Sequence, residues 1–352
     1  MSDSSINVAK FGGTSVATYA TMLNCAKVVK GNPATKVVVV SASAGVTNIL
    51  VELAHKALTK DEISAYIEQI QAIEFAILND LGAPTLVADK LLELLESLKQ
   101  LAFHEEILHR PDLKDSLLSH GERMASLLFS EVLTQQGLPA DNFDVRNVLL
   151  TDSEFGQAAP QLDGIKQRAA KLMAPEIAKT VLVTQGFIGS DEAGNTTTLG
   201  RGGSDFTAAL LAEALGAQSC EIWTDVIGVY TTDPRITDAA RPLPELSFEE
   251  AAEMATFGAK VLHPATMEPA LRQNIKVFVG SSKEPEKGGT WIVRDCEHEP
   301  SYRAITRRKD QVMVTVKTPK MMYAQGFLQN VFTIIAKHNL SVDLVTTSEI
   351  CV

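Results

Sequence analysis

Three turns that combine glycine with charged or hydroxyl side chains are the segments of this sequence best suited to hold an anion. The first, residues 10–15, reads Lys-Phe-Gly-Gly-Thr-Ser. Its two glycines let the backbone approach an anion closely, and Lys10 adds a positive charge just before an expected helix N-terminus. The turn matches neither the Walker nor the dinucleotide-binding fingerprint. By itself it fits a phosphate-binding loop and an ordinary strand-to-helix turn equally well.

The second and third turns have the same character. Residues 41–48 follow a run of valines and offer the hydroxyl of Thr47 to a carboxylate or phosphate oxygen. A plain helix N-cap at Ser43 or Thr47 explains this segment about as well. In residues 196–205, Arg201 suits a bidentate clamp on a carboxylate, and Asp205 suits holding a lysine or a metal–phosphate complex. A turn that only capped a helix would need neither the arginine nor three glycines.

Other polar groups lie in three further segments. Residues 224–235 mix donors, acceptors and an aromatic ring, which fits either a seat for a base and ribose or a solvated loop. Residues 257–264 supply a second lysine, Lys260, at an expected helix end, whereas a structural role is the better reading of His263. Glu122 can bind an ammonium group, although an exposed helical salt bridge is its default role.

The combined set of side chains indicates phosphoryl transfer. It contains two lysines, three glycine turns and an arginine suited to a carboxylate, but no nucleophile with a paired base. Phosphoryl transfer needs such a set because its catalysis consists mainly of positioning and of neutralising charge on the migrating group. Acyl transfer and hydride transfer fit these residues less well.

The elements that must position these turns alternate between strands and helices. Strands are predicted at residues 6–10, 36–40, 181–184, 221–224 and 276–279, most of them buried on both faces. In residues 91–101, leucines recur every three or four positions, which predicts one apolar face of a helix. The alternation predicts an α/β protein with a mainly parallel, doubly wound sheet that binds its ligand beyond the carboxyl ends of the strands.

The pattern changes at two places along the chain. Residues 59–118 are polar and rich in helix signals, so we expect a helical insertion over one side of the sheet within a catalytic domain of residues 1–293. A second unit, residues 294–352, is predicted to hold a strand at 311–316, a helix at 326–338 and a strand at 341–345. A compact domain commonly needs more residues than this, so we expect the chain to be truncated at its C-terminus.

Composition limits the partners. The chain has 352 residues, 45% of them hydrophobic, and a net charge of −11, which opposes binding to nucleic acid. The four cysteines form no C-x-x-C pair, and the seven histidines form no H-E-x-x-H motif, so we expect reduced thiols and no metal held by protein ligands alone. With no signal peptide and no run of eighteen apolar residues, we expect a cytoplasmic protein that does not bind membranes.

These same residues resemble the amino acid kinase family and, within it, the aspartokinases. The resemblance covers essentially the whole chain and is carried by residues 10–15, 41–48, 119–122, 200–205, 223–235 and 256–266. The sequence Gly-Arg-Gly-Gly-Ser-Asp at 200–205, together with Phe-Asp-Val-Arg at 143–146, is most similar to the lysine-sensitive monofunctional group. The implied fold is an amino acid kinase-like sandwich around a mainly parallel central sheet.

The resemblance implies phosphorylation of the side-chain carboxylate of L-aspartate by ATP with Mg²⁺. The product is 4-phospho-L-aspartate, from which lysine, threonine and methionine are made. By matching position, Lys10, Asp205 and Lys260 would be catalytic, and Thr47, Glu122, Arg201 and Ser204 would bind aspartate. The matching nucleotide-binding residues are Lys10, Phe11, Gly12, Gly13, Thr224, Asp225, Tyr230, Arg235 and Lys260.

The second unit resembles the start of an ACT domain, an α+β module that in the family forms dimer contacts and binds the feedback inhibitor. The resemblance implies L-lysine as inhibitor and a homodimer for the complete protein. The residues that match a lysine site are Met321, Phe327, Leu328, Ser341, Asp343 and Thr347. A purely structural interpretation places Phe327 and Leu328 in the core instead.

Two alternative functions compete with an aspartate kinase. The first is another amino acid kinase, acting on glutamate, N-acetylglutamate or a nucleoside monophosphate. The second is a non-catalytic amino-acid sensor built on the ACT module. A sensor would need neither Lys10 nor Lys260, which favours the enzyme.

Overall fold

The computed structural model describes residues 5–259, 262, 264–296, 300, 302–309, 311–318, 324–338, 340, 342 and 344–348. Its strands are β1 Asn7–Phe11, β2 Thr35–Val40, β3 Ala140–Phe143, β4 Val181–Gln185, β5 Ile188–Ser190, β6 Thr196–Thr198, β7 Ser219–Thr224, β8 Glu245–Ser247, β9 Lys276–Ser281 and β10 Gly289–Val293. Its helices are α1 Tyr19–Gly31, α2 Val46–His55, α3 Lys60–Asp80, α4 Thr85–Ala102, α5 Pro111–Leu118, α6 His120–Gln135, α7 Leu162–Leu172, α8 Ala174–Ile177, α9 Gly203–Leu215, α10 Phe248–Thr256, α11 Pro264–Arg272 and α12 Phe327–Lys337.

The centre of the fold is an eight-stranded sheet in the order β3-β4-β2-β1-β7-β9-β10-β8. The six strands from β3 to β9 in this order are parallel, whereas β10 runs antiparallel to β9. In register, Phe11 lies opposite Val40 on one side and Trp223 on the other. The carboxyl ends of β2, β1 and β7 therefore meet at one edge. The mainly parallel α/β fold and the five strands predicted between residues 6 and 279 are confirmed.

Apolar residues fill both faces of this sheet. Along β2, Val38 and Val40 pack in one core cluster and Val37 and Val39 in the other, and all four are fully buried. Such strands carry unbroken apolar runs because helices cover both of their faces. The first cluster lies under α1, α2, α3, α4 and α6, and the second under α7, α9 and α11.

The segment between β2 and β3 is helical. Helices α3, α4 and α5 span residues 60–118, the stretch expected to form an insertion, and pack against α2 and α6. In α4 the predicted apolar face is present, since Leu91, Leu95 and Leu98 are buried. The capping box of Thr59 and Glu62 fixes the start of α3, because each side chain accepts a hydrogen bond from the other residue's backbone N–H.

The chain divides into two compact units, one reaching to Arg307 and the other beginning at Arg308. Residues 302–307 belong to the first unit because Arg303 Nε donates to Glu250 Oε1 over 2.7 Å and the Ile305 amide donates to the Thr231 carbonyl over 2.8 Å. The domain boundary after residue 293 stays a prediction.

In the second unit the predicted helix is present as α12. The expectation of a strand at residues 311–316 is wrong for this structure, because those residues are described without regular strand pairing. The strand expected at 341–345 lies partly outside the described residues. A local residue pattern does not by itself make a strand, because a strand also needs a partner with which to share backbone hydrogen bonds.

Candidate active site

The carboxyl edge of the sheet brings Lys10 and Asp205 into direct contact. Lys10 is next to last in β1 and only 9% exposed, and its Nζ lies 2.6 Å from Asp205 Oδ1. Asp205 belongs to the first turn of α9, where a carboxylate also interacts favourably with the helix dipole. The pair joins the first and third glycine turns, although Lys10 and Asp205 lie 195 residues apart in the sequence.

The first turn must be glycine because its backbone touches the second turn. A Cβ at Gly13 would lie 2.7 Å from the Ala42 carbonyl oxygen, closer than any side chain can come. The Gly12 amide donates to the Trp223 carbonyl over 3.1 Å, and the Ser41 amide donates to the Phe11 carbonyl over 3.1 Å. Three loops that follow β1, β2 and β7 are thereby fixed to one another.

Glu122 enters the same cluster from the first turn of α6. A Cβ at Gly121 would lie 2.6 Å from Ala42 Cβ, so the helix start packs directly on the second turn. Glu122 is 4% exposed, and its burial raises the pKa of the carboxyl group to about 7, against the smaller effects of the Ala42 amide and the Lys10 charge. The default interpretation as an exposed salt bridge is wrong, because the Glu122 side chain is buried.

The loop before α9 is shaped for a close approach of backbone and ligand. Gly200 and Gly202 have φ of +75° and +74°, in the left-handed region that favours glycine. A Cβ at Gly186, just after β4, would lie 2.5 Å from Ser204 Cβ. Arg201 is exposed and makes no ion pair with any described residue, which leaves its guanidinium available to an anion.

The loops after β7 and β9 meet on the other side of β1. The Ser282 amide donates to the Thr224 carbonyl over 2.9 Å, and the buried Ser15 and Ser282 hydroxyls share a 2.7 Å hydrogen bond. Thr224 Oγ1 donates to Asp225 Oδ1 over 3.2 Å. The predicted nucleotide residues Thr224 and Asp225 thus lie at the same edge as Lys10.

Tyr230 and Arg235 lie farther along the loop between β7 and β8. Tyr230 is half-buried and pairs with Pro242 in an isolated bridge. Arg235 is exposed and forms a 2.7 Å ion pair with Asp233. Arg235 is thus engaged by its neighbour and not by the Lys10–Asp205 pair.

Several predicted residues occupy places that the sequence did not indicate. The side chain of Phe11 lies in the core, stacked on Trp223 and edge-on to Phe129, so only its backbone can face a ligand. The helix expected directly after residues 10–15 begins only at Tyr19, because Thr18 and Thr21 form its capping box. Lys260 and His263 lie outside the described residues.

The second turn also differs from its alternative reading. Neither Ser43 nor Thr47 caps α2, since its N-cap is Gly45, with φ of +92°. Thr47 lies exposed in the first turn of the helix. Its hydroxyl does not cap the helix and is therefore available to a ligand.

The residues that matched a lysine site are only partly described. Phe327 is half-buried at the start of α12, and Leu328 and Thr347 are exposed. Met321, Ser341 and Asp343 lie outside the described residues. The assignment of this site stays a prediction.

Sequence reasoning missed Asp115 at the end of the helical insertion. Its buried carboxylate accepts hydrogen bonds from the amides of Gly156 and Thr198 and from the Thr198 hydroxyl, over 2.7 to 3.0 Å. These bonds tie α5 to β6, the strand that leads into the Arg201 loop. A single aspartate inside a helical pattern carries no signal for such a role. The close approach of Gly186 to Ser204 did have a signal in the sequence, namely a glycine directly after a buried strand.

The described residues contain no group of three His, Cys, Asp or Glu side chains arranged to hold a metal ion. Cys25 and Cys220 are buried free thiols, and burial raises the pKa of both. In the same part of the chain, none of the helices combines the length and apolarity needed to cross a bilayer. The charges at the carboxyl edge are thus the chemistry that the described site offers.

Comparison with known proteins assigns this arrangement to a family. Residues 5–281 match the model of the amino acid kinase family. The lysine-sensitive aspartokinase 3 of Escherichia coli is 49% identical over 99% of this chain and 78% of its own length, and an aspartokinase of Chlamydia pneumoniae is 36% identical over 96% of this chain and 74% of its own.

Solved structures agree with the sequence relatives. The R-state structure of E. coli aspartokinase III with aspartate and ADP matches with a TM-score of 0.87, covering 98% of this chain and 77% of that one. The T-state structure of the same enzyme with lysine and aspartate matches with a TM-score of 0.88, covering 98% and 78%. With a mainly parallel sheet, three glycine turns at its carboxyl edge and relatives of this similarity, the chain belongs to the amino acid kinase family, among the aspartokinases.

Proposed function

We propose that this chain phosphorylates the side-chain carboxylate of L-aspartate with ATP, giving 4-phospho-L-aspartate and ADP. The observation that carries the proposal is the Lys10–Asp205 contact at the carboxyl edge, between the first glycine turn and the N-terminus of α9. A buried ammonium group that one carboxylate holds in place can contact a phosphate oxygen while it keeps its charge partner. The similarity to an enzyme crystallised with aspartate and ADP supports this choice of substrates.

Phosphate groups are assigned to the Lys10 side of the edge. Lys10 and the backbone of residues 11–13 would contact the transferred phosphoryl group, and Lys260 would contribute the second positive charge. Thr224 and Asp225 lie next to this point, and Tyr230 and Arg235 lie in the loop that follows. Neutralising the phosphoryl oxygens lowers the barrier because their charge is redistributed in the transition state.

The acceptor is assigned to the opposite side of Lys10. Glu122 would receive the ammonium group of aspartate and Arg201 a carboxylate, while Thr47 and Ser204 donate from their hydroxyl groups. Since the pKa of Glu122 is about 7, an arriving ammonium group would favour its ionised form at neutral pH. No general base is needed, because the acceptor carboxylate is already ionised.

Mg²⁺ fits this site as an ion carried on the nucleotide. Mg²⁺ is commonly bound through one or two carboxylates and the substrate phosphates, and Asp205 and Asp225 are the carboxylates near the phosphate side. When bound, it would neutralise phosphate charge. The described residues offer no larger acidic cluster that would hold the ion without nucleotide.

Regulation by L-lysine and assembly as a homodimer are part of the proposal for the complete protein. The support is the similarity to an enzyme described as lysine-sensitive and crystallised with lysine and aspartate. The second unit, with α12, would be the start of the ACT domain that binds lysine.

An acceptor panel tests the proposed activity. Acyl phosphates formed from ATP are trapped as hydroxamates with aspartate, glutamate and N-acetylglutamate as separate acceptors, and ADP is measured in parallel. A nucleoside monophosphate forms no acyl phosphate, so its phosphorylation is followed by ADP and by the nucleoside diphosphate that it yields. We expect hydroxamate and ADP in equal amounts with aspartate, and at most a small fraction of that rate with the others. Phosphorylation of glutamate but not aspartate would reject the proposal. Lysine binding by a protein that produces no ADP would favour the sensor.

A further inference from the structure

A buried carboxyl group outside the described edge lies against the second glycine turn. Glu74, in the middle of α3, is 0% exposed, and neither of its carboxyl oxygens has a hydrogen-bond partner of good geometry among the described residues. Ser43, in the turn after β2, is also 0% exposed, and its Oγ has no such partner in that part of the chain. An unpartnered polar group in an apolar surrounding costs free energy, so two neighbouring ones call for an explanation.

The two groups are neighbours. Burial raises the pKa of Glu74 to about 8, and the Ser43 hydroxyl is the one side-chain group that opposes this effect. The side chain of Ile73, the residue before Glu74, lies close to the same turn, since a Cβ built on Gly45 would be 3.9 Å from Ile73 Cδ1. Consecutive residues of α3 therefore lie next to Ser43 and Gly45, the two ends of the bend from which α2 starts.

This bend determines where the acceptor side of the site lies. The Val46 amide donates to the Ser43 carbonyl over 3.0 Å, and Thr47 follows in the first turn of α2. On the other side of Ser43, Ala42 is fixed between Gly13 and Gly121. The turn is thus held by tight packing at Ala42, whereas at Ser43 the contact comes from the helical insertion.

We propose that Glu74 is a positioning residue, whose protonated carboxyl group hydrogen-bonds to the Ser43 hydroxyl and holds the second glycine turn in the geometry that presents Thr47 to the acceptor. This inference rests on the proposed aspartate kinase function. When Glu74 loses its proton, a buried negative charge replaces a neutral partner, and α3 and the turn separate to admit water. The expected consequence is weaker binding of aspartate, and not of ATP, as the pH rises above neutrality.

No charged side chain accounts for the raised pKa of Glu74. Its pKa responds to burial and to Ser43, with no contribution from a charge on a described residue. The elements packed against α3 are α1, α2, α4 and α6. Their titratable groups are Tyr19, Cys25, Lys27 and Lys30 on α1, Glu52 and His55 on α2, Asp89, Lys90, Glu93, Glu96 and Lys99 on α4, and His120, Glu122, Arg123 and Glu131 on α6; α3 itself carries Lys60, Asp61, Glu62, Tyr66, Glu68 and Asp80. Only Cys25, His120 and Glu122 among these are buried.

The test compares the KM for aspartate and for ATP from pH 6.5 to 9 in four variants of the full chain. Glu74→Gln keeps a neutral hydrogen-bonding group and cannot ionise, so we expect a wild-type KM for aspartate at pH 7 and none of the wild-type rise at pH 9. Glu74→Ala and Ser43→Ala should each raise the KM for aspartate roughly fivefold at pH 7, the effect of one hydrogen bond. The KM for ATP should change less than twofold. Glu68→Gln, an exposed glutamate of the same helix, should match the wild type at every pH.

The double variant Ser43→Ala with Glu74→Ala separates a shared contact from two structural defects. If the hydroxyl and the carboxyl act as one contact, the double variant should be no worse than the poorer single variant. Additive effects, an equal rise in both KM values, or a pH profile of Glu74→Gln identical to the wild type would overturn the inference.

The variant Thr47→Ala distinguishes a failure of the proposed acceptor site from a failure of the inference on Glu74. If it leaves the KM for aspartate unchanged, the proposed acceptor site is wrong; if it raises that KM while the Glu74 and Ser43 variants do not, only the inference on Glu74 fails.

Discussion

At the scale of single residues, the function of Lys10 depends on where its charge is held. A lysine at the end of a buried strand would normally extend towards water. Here Asp205 keeps its ammonium group at the carboxyl edge, 2.6 Å away and largely shielded from solvent. The pair supplies a positive charge that is positioned before the substrate arrives, so little reorganisation is needed during the reaction.

Replacing Lys10 tests this assignment directly. Lys10→Met keeps the length and apolar stem of the side chain and removes the charge. We expect kcat to fall by about two to three orders of magnitude, the usual effect of losing one transition-state donor. Steady-state kinetics with saturating ATP and aspartate measure this loss, and Lys27→Met, an exposed lysine on α1, serves as the matched control.

Turnover by Lys10→Met at more than a tenth of the wild-type rate would contradict the assignment. Circular dichroism and thermal unfolding of the variant show whether the fold is retained. Asp205 would then be left without its partner, so a moderate loss of thermal stability is expected and does not by itself explain a kinetic loss of this size.

At the scale of elements, the site depends on how closely loops and helix ends approach one another. Gly13, Gly121 and Gly186 lie in three different segments, and a methyl group on any of them would collide with a neighbouring turn or helix at 2.5 to 2.7 Å. These contacts place α6 and the loop after β4 against the second and third glycine turns. The glycines at these positions thus set the distances between the acceptor residues.

Gly121→Ala is expected to disturb the site although alanine favours helices. In a solvent-exposed helix the change from glycine to alanine would stabilise the helix by about 1 kcal/mol. Here the new methyl group meets Ala42 Cβ and Leu50 Cδ1, so the start of α6 must shift, at an expected cost of about 1–3 kcal/mol. Since Glu122 moves with it, the KM for aspartate should rise more than that for ATP.

Urea unfolding and the two KM values check this expectation. Gly31→Ala at the end of α1 is the matched control, because nothing lies within 4 Å of the added methyl group. An unfolding midpoint for Gly121→Ala equal to or above that of Gly31→Ala would show that the contact with Ala42 does not constrain the helix.

At the scale of the whole molecule, burial outweighs the effect of neighbouring charges at several ionisable groups. The pKa of Glu74 is raised from its ordinary 4.5 to about 8, and that of Glu122 to about 7, in both cases chiefly by burial. Burial lowers the pKa of His120 from 6.5 to about 4. The folded chain therefore binds more protons than the unfolded chain through the two carboxyl groups and fewer through the histidine.

The free energy of unfolding should consequently be greater at acidic than at alkaline pH. The stabilising contributions of Glu74 and Glu122 are complete below pH 4.5 and are lost as the pH rises through about 8 for Glu74 and about 7 for Glu122. The contribution of His120 is complete above pH 6.5 and is lost as the pH falls towards 4. We expect the free energy of unfolding to decrease by a few kcal/mol, as an order of magnitude, between pH 6 and pH 9. Urea midpoints at half-unit pH intervals measure this trend. A midpoint that rises from pH 6 to pH 8.5 would contradict it, and Glu74→Gln should flatten the decline.

The sequence predicts the secondary-structure elements of this protein better than it predicts the contacts between side chains. The strands, the mainly parallel sheet and the turns that carry Lys10, Thr47 and Arg201 follow from local patterns, because buried strands and glycine turns impose their own residue types. The prediction of a strand at residues 311–316 was wrong, because a strand also needs a neighbouring strand to pair with, which a local residue pattern does not reveal. Phe11 was assigned to the ligand site by its position in a motif, yet packing against Trp223 and Phe129 buries it.

The sequence by itself therefore determined the chemistry on offer: lysines, an arginine and glycine turns that suit phosphoryl transfer, carried on alternating strands and helices. Only the tertiary structure decided which groups meet. It paired Lys10 with Asp205, buried Glu122 against Ala42, and brought Glu74 to Ser43. The reason is physical: residue type and periodicity are local properties, whereas contact across a parallel sheet, and the burial that shifts a pKa, depend on register and packing between segments far apart in the chain.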